Sequence, residues 1–171
     1  MTLDELNKGL EYITYGLYIA TVSDGKQKNG MIVNTVFQVT AQPPCVAISV
    51  NKQSLTHEIL ERAHCFAVMP LDKSADLPFI GVFGFRTGRT FDKFSKVPFT
   101  TGKNGCPIVT AHTLSFMEAE IKQTLDLDTH TIFVGEVTNA GVLKRNGEAL
   151  TYDYYHRVIK GKVPPGATHQ F

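Results

Sequence analysis

Residues Asn29–Thr40 read NGMIVNTVFQVT and run directly into AQPPCVAISVNK, Ala41–Lys52. Both pieces are rich in β-branched and apolar residues and are bounded by Asn, Gly and Pro, so both read as strands. Side chains alternate across a strand. Met31, Val33, Thr35, Phe37 and Val39 therefore share one side, which reads as core. Ile32, Asn34, Val36, Gln38 and Thr40 share the other, and a strand buried on both faces would have carried Val or Ile in place of its amides and hydroxyls. Two readings stay open for that mixed side. It faces solvent, as alternation ordinarily implies, or it recognises a flat heteroaromatic molecule.

The second piece narrows the choice. Val46, Ile48 and Val50 alternate with Cys45, Ala47, Ser49 and Asn51, a small or polar set that lets a planar ligand approach the backbone. Pro43 and Pro44 donate no N–H to a ladder and mark a strand start or an edge. Next comes NKQSLTHEIL, Asn51–Leu60, in which Ser54 or Thr56 can cap a helix. A helix start offers unpaired N–H groups and partial positive charge. The hydroxyls of Ser54 and Thr56, with the Lys52 ammonium, would complete a phosphate cup there. An ordinary N-cap explains the same residues. The order of a polar-sided strand, a small-residue strand and a hydroxyl-lined helix start favours the cup.

Further strands are expected in GLYIATVS (Gly16–Ser23), CFAVMP (Cys65–Pro70), LSFMEAEIKQTL (Leu114–Leu125) and HTIFVGEVTNAGVL (His130–Leu143). A short opening helix is expected from the capping-box spacing of Thr2 and Glu5, with Leu3, Leu6, Leu10 and Ile13 on its apolar side. SLTHEILERAH reads as a second helix, and DLPFIGVFGF as one more turn or two. The aromatic, then Pro/Gly-rich ending from Tyr152 reads as extended in its last part. Six strands with few helices predict a mostly β fold, an antiparallel barrel or sandwich. The 171 residues suffice for one domain spanning 1–171.

A net charge of +1 gives no electrostatic footprint of a nucleic-acid binder. There is no apolar run long enough for a membrane span, and the acidic start MTLDELNKGLEYI does not resemble a signal peptide. A cytoplasmic protein is therefore expected. Cys45, Cys65 and Cys106 form no CxxC pair, so free thiols and no metal site are expected. GxGxxG after a strand, GxxxxGK[ST], GxSxG and HExxH are all missing, which excludes the usual nucleotide and hydrolase scaffolds.

The pieces NGMIVNTVFQVTAQPP, VAISVNKQSLTHEIL, TGRTFDKF, HTIFVGEV and TYDYYHRVIKGKVPP, in this order and spacing, resemble the flavin reductase-like family. Its fold is an FMN-binding split β-barrel, a Greek-key antiparallel barrel. The resemblance is nearest to the flavoredoxin and rubredoxin-linked subgroup. It implies a homodimer with one noncovalent FMN per subunit near the dimer interface. By the same resemblance Asn34 and Thr35 lie beside the ring or ribityl chain, Gln38 and Thr40 line the isoalloxazine, and Asn51, Lys52, Ser54 and Thr56 meet the phosphate region. Arg89 and Lys93 add positive charge, with Thr87-Gly88-Arg89 standing where Ser-Gly-Arg is common. His130 matches a histidine associated with the nicotinamide, preceded here by Asp128-Thr129 in place of Gly-Asp. Tyr155 and His156 match a C-terminal aromatic or histidine that reaches the flavin.

The chemistry so implied is hydride transfer from NAD(P)H to flavin N5, with electrons passed to free flavin, iron or a redox protein such as rubredoxin. The cofactor carries the reaction, while the protein orients the partners and meets developing negative charge, with Lys93 or strand N–H groups as candidates. His130 is the candidate catalytic residue. The alternative is a flavoredoxin-type electron carrier that does not bind NAD(P)H productively. A barrel-shaped interaction module without flavin is a third reading.

Overall fold

The computed structural model describes residues 2–164 and 166–168. The chain opens with α1 (Leu3–Leu10) and its capping box: Thr2 Oγ1 accepts from Glu5 N at 3.2 Å while the Glu5 carboxylate accepts from Thr2 N at 2.7 Å. The apolar side expected here is not packed. Leu6, Leu10 and Ile13 are exposed, and the Leu3 side chain lies outside the described residues. There follow β1 (Tyr18–Ser23), β2 (Lys28–Val33), β3 (Val36–Ala41), β4 (Pro44–Asn51), α2 (Leu55–Ala63), β5 (Cys65–Pro70), α3 (Leu77–Gly84), β6 (Phe99–Thr101), β7 (Pro107–Val109), β8 (Ser115–Asp126), β9 (His130–Val142) and α4 (Tyr152–Arg157). Among the described residues, seven strands form one sheet in the order β2-β1-β5-β8-β9-β4-β3, and β6 pairs with β7 apart from it. Every pairing is antiparallel.

NGMIVNTVFQVT is not one strand. β2 ends at Val33 as one edge of the sheet, and β3 begins at Val36 as the opposite edge. Asn34 and Thr35 carry the chain across. Ser49 N donates to Thr35 O at 3.2 Å, so the crossing itself bonds to β4 and draws the two edges together. This makes the sheet a split barrel, closed except for a seam. It also corrects the expected alternation from Met31 to Val39. That argument needs uninterrupted pairing with the same neighbour, but β2 pairs with β1 and β3 with β4. Val33 is in the core, whereas Phe37 is 51% and Val39 45% exposed.

β1 and β5 lie mid-sheet and are buried on both faces. Ala20, Val22, Phe66 and Val68 join Val46, Ile48 and Val50 of β4 to fill the barrel, which Leu55, Ile59 and Leu60 of α2 close. Each such aliphatic side chain contributes about 1.5–3 kcal/mol on burial. Ile19, Ala67 and Met69 face outward into a second cluster with α3, Phe94, β7 and α4. In α3 the Asp76 carboxylate caps Phe79 N at 2.8 Å, and Pro78 sits in the first turn where no N–H is needed. The aromatic run at Tyr152 is helical. Thr151 Oγ1 accepts from Tyr154 N at 3.2 Å, and Tyr152 and Tyr155, spaced three apart, turn inward together. The expected extended ending after residue 168 lies outside the described residues.

Candidate functional site

The seam between β2 and β4 opens into a cleft of about 380 Å³. Its walls are β2 with Asn34, the end of β4 with the start of α2, the end of α3 with the loop to Gly88, His130 of β9, Tyr152 and Tyr155 of α4, and Lys162, Pro164 and Gly166 beyond it.

One end of the cleft gathers hydroxyl, amide and ammonium groups around the start of α2. Ser54 caps α2, accepting from His57 N at 3.1 Å and donating to Asn51 O at 2.8 Å, so its hydroxyl is already used. The N–H groups of the first turn have no intrahelical acceptors. Thr56 is buried and accepts from Asn29 Nδ2 at 3.0 Å; its own hydroxyl proton has no acceptor among the described residues. Asn29 is pinned from the other side by Gly88, where a Cβ would collide with Asn29 Oδ1. Backbone at Gly88 therefore approaches the site as only glycine allows. Lys93 lies behind, 4% exposed, its ammonium donating to Gly30 O at 2.7 Å and Phe83 O at 3.3 Å. It pairs with no carboxylate among the described residues, and burial pushes it down to about 8. A buried ammonium held only by neutral carbonyls favours a negatively charged ligand.

The other end is aromatic and amide-lined. Asn34 is buried, with Oδ1 accepting from Thr35 Oγ1 at 3.1 Å. Its Nδ2 makes no hydrogen bond among the described residues. Burial, with the neighbouring Tyr155, pushes the Tyr152 phenol up to about 12 against the opposing effect of the Asn34 side chain. A donor left unpaired inside a cleft costs about 1–3 kcal/mol unless a ligand meets it. Asn51 Nδ2 donates to Gly166 O at 2.9 Å and Tyr155 OH to Lys162 O at 2.9 Å, which straps the C-terminal chain along this end. His130 pairs opposite Asn51 in the sheet and shares a 2.8 Å hydrogen bond between Nδ1 and Thr129 Oγ1. Burial lowers its pKa, opposed by a hydrogen bond to the Gly166 backbone and reinforced by His57. The shift favours the neutral imidazole.

Of the residues expected from sequence, Asn34, Asn51, Ser54, Thr56, Lys93, His130 and Tyr155 line the cleft. The others do not. Gln38 and Thr40 are exposed on the edge strand, Gln38 Nε2 donating to Thr40 O at 3.1 Å and Thr40 Oγ1 to Pro43 O at 2.6 Å. Their displacement follows from the break at Asn34–Thr35. Thr35 supports Asn34 from behind the wall. Lys52 reaches a recess beside the cleft and pairs with Asp126 at 2.7 Å. Arg89 is outside, in a double ion pair with Glu58. His156 packs edge-on against Tyr152 and Tyr155 rather than reaching the cleft. Ser49, from the small or polar set of β4, lines the cleft too, as do Asn29, Gly88 and Tyr152, which are not among the expected site residues. Asn29 had one signal, an amide at the entry to an otherwise apolar strand.

Among the described residues no three His, Cys, Asp or Glu side chains gather as metal ligands would. No described helix is long and apolar enough to cross a membrane. The family described as "Flavin reductase like domain" matches residues 10–160. The chain is 46% identical over 160 residues to a high molecular weight rubredoxin of Moorella thermoacetica, covering 94% of this chain and 69% of that protein. It is 45% identical over 159 residues to a ferric-chelate reductase (NAD(P)H) of Archaeoglobus fulgidus, covering 93% of this chain and 94% of that one. The solved structure of an NADH:FAD oxidoreductase from Streptomyces globisporus superposes with a TM-score of 0.78 at 27% identity, covering 86% of each chain.

Proposed function

This chain belongs to the flavin reductase like domain family, and from that premise we propose that it is an NAD(P)H-dependent flavin oxidoreductase holding one noncovalent FMN in the seam cleft. Its electrons pass on to free flavin, ferric iron or a small redox protein. The observation that carries this reading is the buried, uncompensated Lys93 at the same end of the cleft as the α2 start and the Asn29–Thr56 pair. An unpaired amide and aromatic walls occupy the opposite end. Polar phosphate at one end and a flat heteroaromatic at the other suit a mononucleotide. A single anion end favours FMN over a dinucleotide, which needs a second phosphate contact.

When bound, the flavin supplies a two-electron acceptor for the hydride of a reduced nicotinamide. Lys93, Thr56 and the first N–H groups of α2 hold the phosphate end. Asn34 Nδ2 offers its unused donor to the ring, and Leu17, Ile80, Phe83 and Tyr152 exclude water from it. His130, steadied by Thr129 and Gly166, meets the nicotinamide at the open side. A neutral imidazole there orients the carboxamide without repelling the positive ring left after hydride loss.

The exposed edge strand β3, with Phe37 and Val39 uncovered, supports assembly as a homodimer. The 46% identity to a rubredoxin-named protein supports a rubredoxin-like electron partner, because this chain has no CxxC pair of its own. Acid release of the chromophore followed by chromatography tests the cofactor. FMN is expected, and FAD or flavin retained by the denatured chain refutes the assignment.

A further inference from the structure

Away from the cleft, two of the three cysteines face each other. Cys65 Sγ, at the start of β5, lies 3.9 Å from Cys106 Sγ, which precedes β7. The approach is held by a network and is not an accident of loose packing. Asn104 Oδ1 accepts from Cys106 N at 3.0 Å, and Asn104 Nδ2 donates to Phe66 O, beside Cys65, at 3.0 Å. Asn104 N donates at 2.8 Å to Glu118, a carboxylate 1% exposed. Gly102 N closes the turn onto Cys106 O at 2.8 Å, and Gly105 supplies the positive φ of 86° that the turn requires. Cys106 is fully buried, while Cys65 is half-buried and so is the sulfur that a small solute reaches first.

We propose that Cys65 and Cys106 are a peroxide-responsive dithiol that closes into a reversible disulfide, tying the start of β5 to the turn before β7. The thiols are asymmetric in the sense this requires. The hydrogen bond shared with Cys106 lowers the Cys65 pKa against burial and the charges of Glu118 and Glu120. The same contact, with burial, raises Cys106. Cys65 is therefore the attacking thiolate and Cys106 the resolving thiol. In the first step Cys65 sulfur attacks one oxygen of hydrogen peroxide. An S–O bond forms, the O–O bond breaks, and the departing hydroxide takes the proton released by Cys65 and leaves as water. In the second step Cys106 sulfur attacks Cys65 sulfur. An S–S bond forms, the S–O bond breaks, and the hydroxide leaves as water with the Cys106 proton. Two thiols lose two electrons and two protons to one peroxide, giving a disulfide and two waters. Closure from 3.9 Å to bonding distance asks the turn to move by about 2 Å.

The test uses the full chain with its flavin bound, treated anaerobically with a small excess of hydrogen peroxide. Titratable thiols are expected to fall from three to one, with an intact-mass loss of about 2 Da and recovery by dithiothreitol. Peptide mapping is expected to join Cys65 to Cys106 and to leave Cys45 free. The oxidised protein is expected to melt about 5–15 °C higher, because the bond closes a long loop in the unfolded chain. In Cys106→Ser, dimedone is expected to label Cys65 as a sulfenic acid. Three thiols surviving peroxide, sulfinic acid at Cys65 with Cys106 still reduced, or a disulfide through Cys45 would each overturn the proposal.

Discussion

Replacing Lys93 by Met separates what this residue does for folding from what it does for binding. The substitution keeps an unbranched stem of similar length and removes the charge. In the flavin-free protein the buried ammonium is disfavoured: its pKa is lowered from 10.5 to about 8 by burial. At about 1.36 kcal/mol per unit, that is a penalty of roughly 3 kcal/mol. The sign follows from proton linkage. Between pH 8 and pH 10.5 the unfolded chain binds more proton at this residue than the folded one, so stability from this group rises with pH across that window. Below pH 8 the penalty is fully present. Lys93→Met removes it but strands the carbonyls of Gly30 and Phe83, which costs about 1–3 kcal/mol. Flavin-free Lys93→Met is therefore expected to match wild type within about 2 kcal/mol at pH 7. The gap between the two proteins should move by about 2.5 kcal/mol in favour of wild type from pH 7 to pH 10. FMN binding behaves differently. Loss of one charge-assisted contact, worth about 1.5–3 kcal/mol, weakens it about 10- to 100-fold at pH 7. Wild-type affinity should fall above pH 8 as Lys93 loses its proton, while the variant's affinity stays flat from this cause. Urea unfolding of the flavin-free proteins and fluorescence titration with FMN measure both quantities. A variant that binds FMN within about a factor of two of wild type, or a stability gap that does not move with pH, would show that the Lys93 charge lacks the corresponding role.

His130→Ala should keep oxidised flavin bound and reducible by dithionite while reduction by NAD(P)H slows about 10- to 100-fold in anaerobic stopped-flow, the scale of one lost orienting hydrogen bond; loss of flavin would make His130 a flavin contact instead. Gly88→Ala places a methyl against Asn29 Oδ1 and should weaken FMN binding about tenfold or more with little change in the far-ultraviolet circular dichroism, as calorimetric titration would record. Phe37→Asp on exposed β3 should shift the protein from the proposed dimer toward monomer in light scattering, and an unchanged mass would refute β3 as the interface.

The residues gathered at the α2 start were legible in the sequence because they are local. Ser54 and the small or polar set at Ser49 and Asn51 follow from capping and alternation, which act over a few residues. The break at Asn34–Thr35 was not legible. It carries neither Gly nor Pro, and the β-branched run continues through it, so period-2 counting passes over the crossing and misplaces Gln38 and Thr40. Asn29 depends on Thr56, 27 residues away, and on the bare backbone of Gly88; local patterning does not register such partners. Arg89 and Lys93 look alike in TGRTFDKF. Asp92 accepts from Phe94 N at 3.0 Å and starts a 3₁₀ turn that tucks Lys93 inside, while Glu58 on α2 holds Arg89 out. Tyr152 reaches the cleft because the C-terminal aromatic run coils into α4.

Hydride delivery from a reduced nicotinamide to flavin in this cleft is the step on which the proposed function depends. Anaerobic mixing of the flavin-loaded protein with NADH, and separately with NADPH, tests it most directly through the flavin's visible absorbance. At least one of the two nucleotides is expected to bleach the bound flavin, and admitted oxygen to restore the colour. Flavin that stays oxidised with both nucleotides, yet bleaches with dithionite, would contradict it and leave an electron carrier in place of a reductase.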